Sequence, residues 1–370
     1  MEIKRHRSNL MLRAKESGYD AVAAFQTENI YYLTGFWGEA VAVCTEDYTS
    51  LIVPMLELQR AIESSKNCRI IPSERGSDLV KNFIEEVNNK IVSTDDNNYS
   101  IITHIQKKIG RRNCMVDGNL FLEIRSIKDQ DELRVISRCA QIIDKLFEMC
   151  LDEIRVGMSE QELEAKLLFE GMKMGATPSS YKATLNPLII ASGHNSAKPH
   201  AEVSRRKLAS GDVIIVDLTL RYNCYVADAT RTFIVGQTSS KVKKLYNIVK
   251  ASQEAGINAV KEGVSCGTID NICRSYMNRE DNYSKYFVHS TGHGIGLDVH
   301  EQPWIRKNSK ERLQSNMVIT IEPGIYLKGN LGIRIEDSLV VKARDTKKRE
   351  EAKFDVWNLN KFTKDMVEIG

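Results

Sequence analysis

The sequence predicts an α+β chain of two domains: a mixed α/β segment over residues 1–125, then a larger unit over 126–370 built from two similar halves. Three observations carry this. The length, 370 residues, exceeds that of a typical single domain. Near residue 125 the pattern changes from short apolar runs broken by turns to long amphipathic stretches. Beyond that point several motifs recur at a near-constant offset.

In the first segment, "YDAVAAF" (19–25) reads as a buried strand, and "EAVAVCTEDYTSLIVPM" (39–55) as two strands joined at Glu46-Asp47. "SDLVKNFIEEVNNK" (77–90) places Leu79, Val80, Phe83, Ile84 and Val87 at helical spacing. The polar "STDDNNYS" (93–100) reads as a loop and "CMVDG" (114–118) as a short strand. Residues 126–154 then form a long amphipathic helix. Ser159 followed by Glu162 is a capping box that opens another helix, which Gly175 can end. "RVGMSEQELEAKLLFEG" (155–171) matches "KEGVSCGTIDNICRSYM" (261–277), and "SGHNSAKPH" (192–200) matches "TGHGIGLDVH" (291–300). Gly157 and Gly263 are 106 apart, Asp217 and Glu322 105, Asp228 and Glu336 108. A period this long excludes a solenoid and points to two similar halves facing each other.

Composition removes several function classes. With 52 basic and 49 acidic residues the net charge is +3, and no long basic run exists, so nucleic acid has no electrostatic footprint to bind. No stretch of about 18 uninterrupted apolar residues is present to span a membrane, and the basic start lacks an apolar core of signal-peptide length. The eight cysteines contain no C-x-x-C pair, which excludes zinc-ribbon and thioredoxin chemistry and fits reduced thiols in a cytoplasm.

Acids sit where strands should be. "GDVIIVDLTLRYNCYVADATRTFIVG" (211–236) reads as a β-hairpin; a two-residue turn at Tyr222-Asn223 would set Asp217 directly opposite Asp228. Two carboxylates that close must share a proton or hold a cation. "NMVITIEPGIYLKGNLGIRIEDSLVV" (316–341) repeats the arrangement around Lys328-Gly329-Asn330, with Glu322 opposite Glu336 and Pro323 placed to disturb the pairing. Taken alone, Glu336 would be the salt-bridge partner of Arg334 on the same face. Four carboxylates converging from two hairpins call for a pair of divalent cations with oxygen ligands and an imidazole.

The imidazole has candidates. "HSTGHGIGLDVHE" (289–301) holds His289, His293 and His300, and His194 and His200 lie in the matching segment. Glycines at 292, 294 and 296 argue against a helix, and the run is neither a phosphate loop nor H-E-x-x-H.

With these residues in view, the chain resembles the pita-bread metallopeptidases, the group of prolidase, aminopeptidase P, methionine aminopeptidase and creatinase. The frames "VDLTL", "ADATRT", "HSTGHGIGLDVHE", "TIEPGIY" and "GIRIEDS" carry the resemblance, which covers nearly the whole chain and is most specific from 180 to 340. It implies a creatinase-like amino-terminal domain and a pseudo-twofold pita-bread catalytic domain. It further implies a dinuclear site of Asp217, Asp228, His293, Glu322 and Glu336, with Asp228 and Glu336 bridging, Asp217 on one metal, and His293 with Glu322 on the other. His200 and His300 match substrate-contacting histidines, His289 lines the cleft, and Arg334 and Tyr326 stand beside the metals.

Within the group, "TENIYYLTGF" (27–36) and the long front segment resemble prolidase and aminopeptidase P rather than methionine aminopeptidase. The tail "LNKFTKDMVEI" (359–369) resembles the prolidase ending, with Thr363 where a proline is usual. The intact ligand set speaks against metal-free creatinase. The resemblance thus implies a cytoplasmic homodimer that cleaves Xaa-Pro dipeptides. It also implies that two divalent metals, manganese or cobalt with zinc or iron also suited, would activate a water, that Glu322 would exchange its proton, and that His200, His300 or a metal would polarise the carbonyl. The alternatives are an aminopeptidase taking longer peptides with proline second, and a non-catalytic binding protein on the same scaffold, which the five retained ligands disfavour.

Overall fold

The computed structural model describes residues 2–179, 185–343 and 355–370. The chain separates into two compact units, Met1–Arg125 and Ser126–Gly370.

In the first unit apolar runs become buried strands. After α1 (Ile3–Glu16), β1 (Ala21–Ala24) is buried at all four residues, and α2 (Thr27–Thr34) ends on Gly35 in the left-handed conformation. β2 (Val41–Cys44) and β3 (Thr49–Pro54) pair antiparallel around the expected turn, Cys44 facing Thr49. α3 (Leu58–Ser64), β4 (Arg69–Ser73) and α4 (Ser77–Glu86) follow. The 93–100 stretch is not all loop. Ser93 and Thr94 belong to β5 (Val92–Thr94), which runs parallel between β1 and β6 (Cys114–Val116). Its buried hydroxyls are satisfied locally: Ser93 Oγ donates to Asp117 O, and Thr94 Oγ1 accepts from Asp96 N. Polar composition misleads here because short side chains bond to backbone inside the sheet. Asn98 caps α5 (Tyr99–Ile109), and α6 (Asn119–Ser126) closes the unit. The sheet order is β4-β3-β2-β1-β5-β6.

In the second unit α7 (Gln130–Glu153) starts from an Asp129/Glu132 capping box and buries Leu133, Ile136, Ala140, Ile143 and Phe147 at helical spacing. α8 (Glu160–Lys173) opens from the expected Ser159/Glu162 box. β7 (Thr177–Pro178) and β8 (Ile189–Ser192) both flank the long hairpin of β9 (Val213–Tyr222) and β10 (Tyr225–Val235), against which α7 packs. The second half repeats the plan with α9 (Ser240–Ala259), α10 (Cys266–Asp281), β11 (Gly292–Gly294) and β12 (Glu301–Ile305). Then come β13 (Val318–Ile321), β14 (Gly324–Leu327), β15 (Leu331–Arg334), β16 (Asp337–Val341), β17 (Val356–Asn358) and β18 (Val367–Ile369). β18 adds in parallel to β10, while β12-β11-β13-β16-β17 form the second sheet.

The internal repeat survives at the level of single bonds. Gly157 (φ +85°) and Gly263 (φ +84°) each donate their N–H at 2.8 Å, to Leu208 O and Leu313 O. Ser159 and Ser265 cap their helices and bridge to Lys207 and Arg312. The positive φ at these turns explains glycine at both places.

The first hairpin corrects the expected register. Its two-residue turn is Asn223-Cys224, at φ +44° and +72°, so Tyr222 pairs with Tyr225. Asp217 therefore faces Thr230, and Asp228 faces Thr219. The positive φ that the tight turn demands falls on the asparagine and its successor instead of the tyrosine. A slip of two residues preserves the face, so both aspartates still point to one side, diagonally related. In the second hairpin Ile321 faces Asp337 and Gly324 faces Arg334, one register on both sides of a gap at Glu322-Pro323. Pro323 carries no N–H, and the ladder breaks there as expected.

Candidate metal centre

Each acid is delivered by a different piece of the second unit. Asp217 lies mid-β9, Asp228 early in β10, Glu322 directly after β13, and Glu336 between β15 and β16. His293 is the middle residue of β11, between β12 and β13. Its flanking glycines are there for close backbone approach. A Cβ on Gly292 would stand 1.9 Å from Thr320 O, and one on Gly294 would stand 2.1 Å from Gln302 O.

All five side chains line one cavity of about 380 Å³, together with His200, His289, His300 and Arg334. That is the size of a small-ligand pocket. Tyr326 lies just behind, donating to or accepting from His289 Nε2 at 2.8 Å. His194 is exposed and takes no part.

His293 Nδ1 is 3.0 Å from Gly294 O, which fixes its proton on Nδ1 and leaves the Nε2 lone pair facing the acids. Nε2 is 3.7 Å from Glu322 Oε1 and 4.0 Å from Asp228 Oδ2, too far for hydrogen bonds and suited to donors around a common cation. Ligand atoms of Asp228, His293 and Glu336 all lie within 4.8 Å of one another. Asp217 Oδ1 and Glu336 Oε1 are buried with no hydrogen-bond partner. Buried carboxylate oxygens rarely go unpaired, and these two, on one cavity, fit the ligand set of a cation.

The electrostatics agree. Burial, then the charges of Glu336, Asp217 and Glu322, push the Asp228 carboxyl well above its usual range. Burial and Glu336 do the same to Glu322, and burial with Asp217 lifts Glu336 to about 8. Burial drives the His293 and His289 imidazoles down to about 3, so both are neutral, as ligands and hydrogen-bond relays require. His200 and His300 are lowered too, first by burial, then by Arg334 for His200 and by His200 for His300.

Arg334 does not bond to Glu336. Its Nη2 is 2.5 Å from Asp217 Oδ2, its Nε donates to Thr230 Oγ1 at 3.1 Å, and its Nη1 reaches Tyr326 OH at 2.8 Å and Pro199 O at 3.2 Å. The Tyr326 hydroxyl, receiving from Arg334, donates on to His289 Nε2, whose Nδ1 proton goes to Ser290 O at 2.7 Å. Neighbours on one strand face compete poorly with this fork-shaped set of acceptors from four other segments.

Two threonines went unnoticed in the sequence. Thr219 Oγ1 donates to Asp228 Oδ1 at 3.0 Å, and Thr230 Oγ1 donates to Glu336 Oε2 at 2.7 Å. The signal was present: "DLT" and "DAT" repeat D-x-T on the two strands, and the true register sets each aspartate against the other's threonine. Trp304 was also missed; it lines the cavity and stacks on His300 with ring centroids 5.9 Å apart.

Comparison with known proteins places this geometry. Residues 134–343 match metallopeptidase family M24, and residues 7–127 match the creatinase/prolidase N-terminal domain. The Xaa-Pro dipeptidase of Pyrococcus furiosus is 32% identical over 336 residues, covering 90% of this chain and 94% of that protein. The structure of an Xaa-Pro dipeptidase from Bacillus anthracis superposes with a TM-score of 0.88 at 30% identity, covering all of both chains. The X-Pro aminopeptidase of Thermotoga maritima gives 0.85 at 30%, covering 98% of this chain and 99% of that one. A creatinase/prolidase-type front domain followed by a catalytic domain with clustered buried acids and a neutral imidazole identifies the chain as a member of metallopeptidase family M24.

Proposed function

We propose that this protein is an Xaa-Pro dipeptidase whose two divalent cations are held by Asp217, Asp228, His293, Glu322 and Glu336. The observation that carries the reading is the pair of partnerless buried oxygens, Asp217 Oδ1 and Glu336 Oε1, on the cavity that also collects His293 Nε2. Asp228 and Glu336 would serve both cations, Asp217 one of them, and His293 with Glu322 the other. Divalent cations bound there supply Lewis acidity, lowering the pKa of water toward neutrality and polarising a carbonyl.

The chain's own groups do the rest. Glu322, which lines the cavity, takes a proton from the attacking water and delivers it to the leaving proline nitrogen. His200 and His300, neutral at the cavity wall, donate N–H to the developing oxyanion. Arg334 and Tyr326 orient Asp217 and His289. Proline at the second position has no amide N–H, so recognition rests on the ring and carbonyl rather than on strand-like pairing. The carboxylate-rich donor set suits manganese or cobalt, and also zinc or iron. The reading is completed by a homodimer in the cytoplasm; the eight cysteines, none in a disulfide among the described residues, support a reducing compartment.

Release of methionine from Met-Pro and Met-Pro-Ala, measured with added Mn²⁺ or Co²⁺, tests the proposal. Cleavage of the dipeptide alone is expected. Cleavage of the tripeptide between Met and Pro would replace it with the aminopeptidase reading, which the likeness to the Thermotoga maritima enzyme favours. Metal bound without cleavage of either would remove both.

A further inference from the structure

Two segments at the cavity wall hang from one face of α8. Residues 185–189 bring Asn186 and Leu188 to the cavity, and the loop between Ser192 and Ser204 brings Pro199 and His200. Glu160, the first residue of α8, does not line the cavity and has no exposed surface. Its carboxylate nonetheless gathers both ends of that loop. Oε1 accepts from Ser192 N and Ser192 Oγ, each at 2.7 Å. Oε2 accepts from Ser204 N at 3.0 Å and Ser204 Oγ at 2.5 Å. Asn195 Nδ2 lies 3.3 and 3.2 Å from the two oxygens.

The tie is reinforced around it. Arg206 Nη1 donates to Ser192 Oγ at 2.7 Å while pairing with Asp212. One turn along α8, Glu164 accepts from Asn186 Nδ2 at 3.4 Å, and Glu202 receives Leu185 N at 3.0 Å and Asn186 N at 3.2 Å. At its far side the loop meets the site directly: Ser196 Oγ accepts from Gly332 N at 2.8 Å, and Pro199 O accepts from Arg334 Nη1 at 3.2 Å. A free loop of this length samples many positions, and closing its base on one buried acceptor removes most of that freedom.

We infer that Glu160 is a positioning residue for His200, holding the loop so that the imidazole meets the substrate carbonyl at a fixed distance. A charged acceptor is required because five donors converge on it and amide or hydroxyl oxygens cannot serve them all. The inference rests on the proposed peptidase reading only in giving His200 a substrate to meet.

The test uses the full metal-loaded chain with Glu160→Gln and, as a second variant, Ser204→Ala, which removes one donor to Glu160 together with the acceptor for Asn195 Nδ2 and Arg206 N and keeps the claim open to refutation should the glutamine variant not fold. Amide hydrogen exchange across 192–204 is expected to speed up in both, with Mn²⁺ affinity and stoichiometry unchanged. With Met-Pro as substrate, kcat/KM is expected to fall about tenfold to a hundredfold in Glu160→Gln, the scale of a small misplacement of a catalytic group. In a His200→Ala background the same change is expected to add nothing. Unchanged exchange in 192–204, or losses that add in full, overturns the inference. If His200→Ala alone leaves kcat/KM intact, the role of His200 in the proposed reaction falls, and the positioning claim falls with it.

Discussion

The hydroxyl of Thr230 joins two otherwise separate parts of the metal centre: it donates to Glu336 Oε2 at 2.7 Å and receives the Arg334 Nε proton at 3.1 Å. It thereby fixes which oxygen of Glu336 stays open, namely the partnerless Oε1. Thr230→Val keeps the shape and removes both bonds. Metal affinity is expected to fall about 10- to 100-fold, as for other groups that orient ligands. Isothermal titration with Mn²⁺ measures it.

Asp228→Ala removes one of the two acids proposed to serve both cations. Metal binding and hydrolysis are both expected to vanish while the fold persists. Because burial and three neighbouring acids make this carboxyl costly to ionise without metal, the metal-free variant should unfold at a temperature no lower than the metal-free parent. Calorimetry in chelator decides this, and activity retained by the variant would remove Asp228 from the ligand set.

Protons should move when metal binds. Glu336 is lifted to about 8, and Asp228 and Glu322 well above their usual ranges, so the metal-free site holds protons at pH 7. A raised carboxyl pKa in the folded state means that the fold binds protons more tightly than the unfolded chain does. Metal-free stability should therefore fall as pH rises from the ordinary carboxylate range, about 4.3, toward 8. Metal affinity should rise over the same window. Titrations in buffers of differing ionisation enthalpy will count the released protons; a count of zero at pH 7 contradicts the assignment.

Much of this centre was legible in the sequence, for reasons of pattern. Acids inside β-rich runs and histidines among glycines are unusual enough to mark chemistry, and the period-two alternation kept Asp217 and Asp228 on one face although the turn was placed one residue early. What could not be read was decided by long-range partners. Arg334 chooses Asp217, 117 residues away, over its neighbour Glu336. Ser93 and Thr94 enter a sheet because hydroxyl–backbone bonds make them acceptable there. Glu160 is an ordinary first-turn helix acid until Ser192 and Ser204 close on it.

Gly292→Ala tests why the histidine run is glycine-rich. The new methyl group would meet Thr320 O at 1.9 Å, and neither partner is a flexible side chain. Separating β11 from its neighbour should cost about 1–3 kcal/mol or more and withdraw His293 from the acids. A lower melting temperature together with lost Mn²⁺ binding is expected; wild-type metal affinity would show that the strand can yield without moving the imidazole.

The matched turns at Gly157 and Gly263 carry one more consequence. A twofold assembly of identical chains would have to build its centre from identical ligands, and its two ions would be interchangeable. Here the halves are covalently fused, so each has diverged alone: one brings two aspartates, the other an imidazole and two glutamates. Two ions held there as proposed would meet unlike ligand sets, and their affinities should separate. Stepwise loading, seen as two resolved phases in a metal titration, is the signature of that divergence.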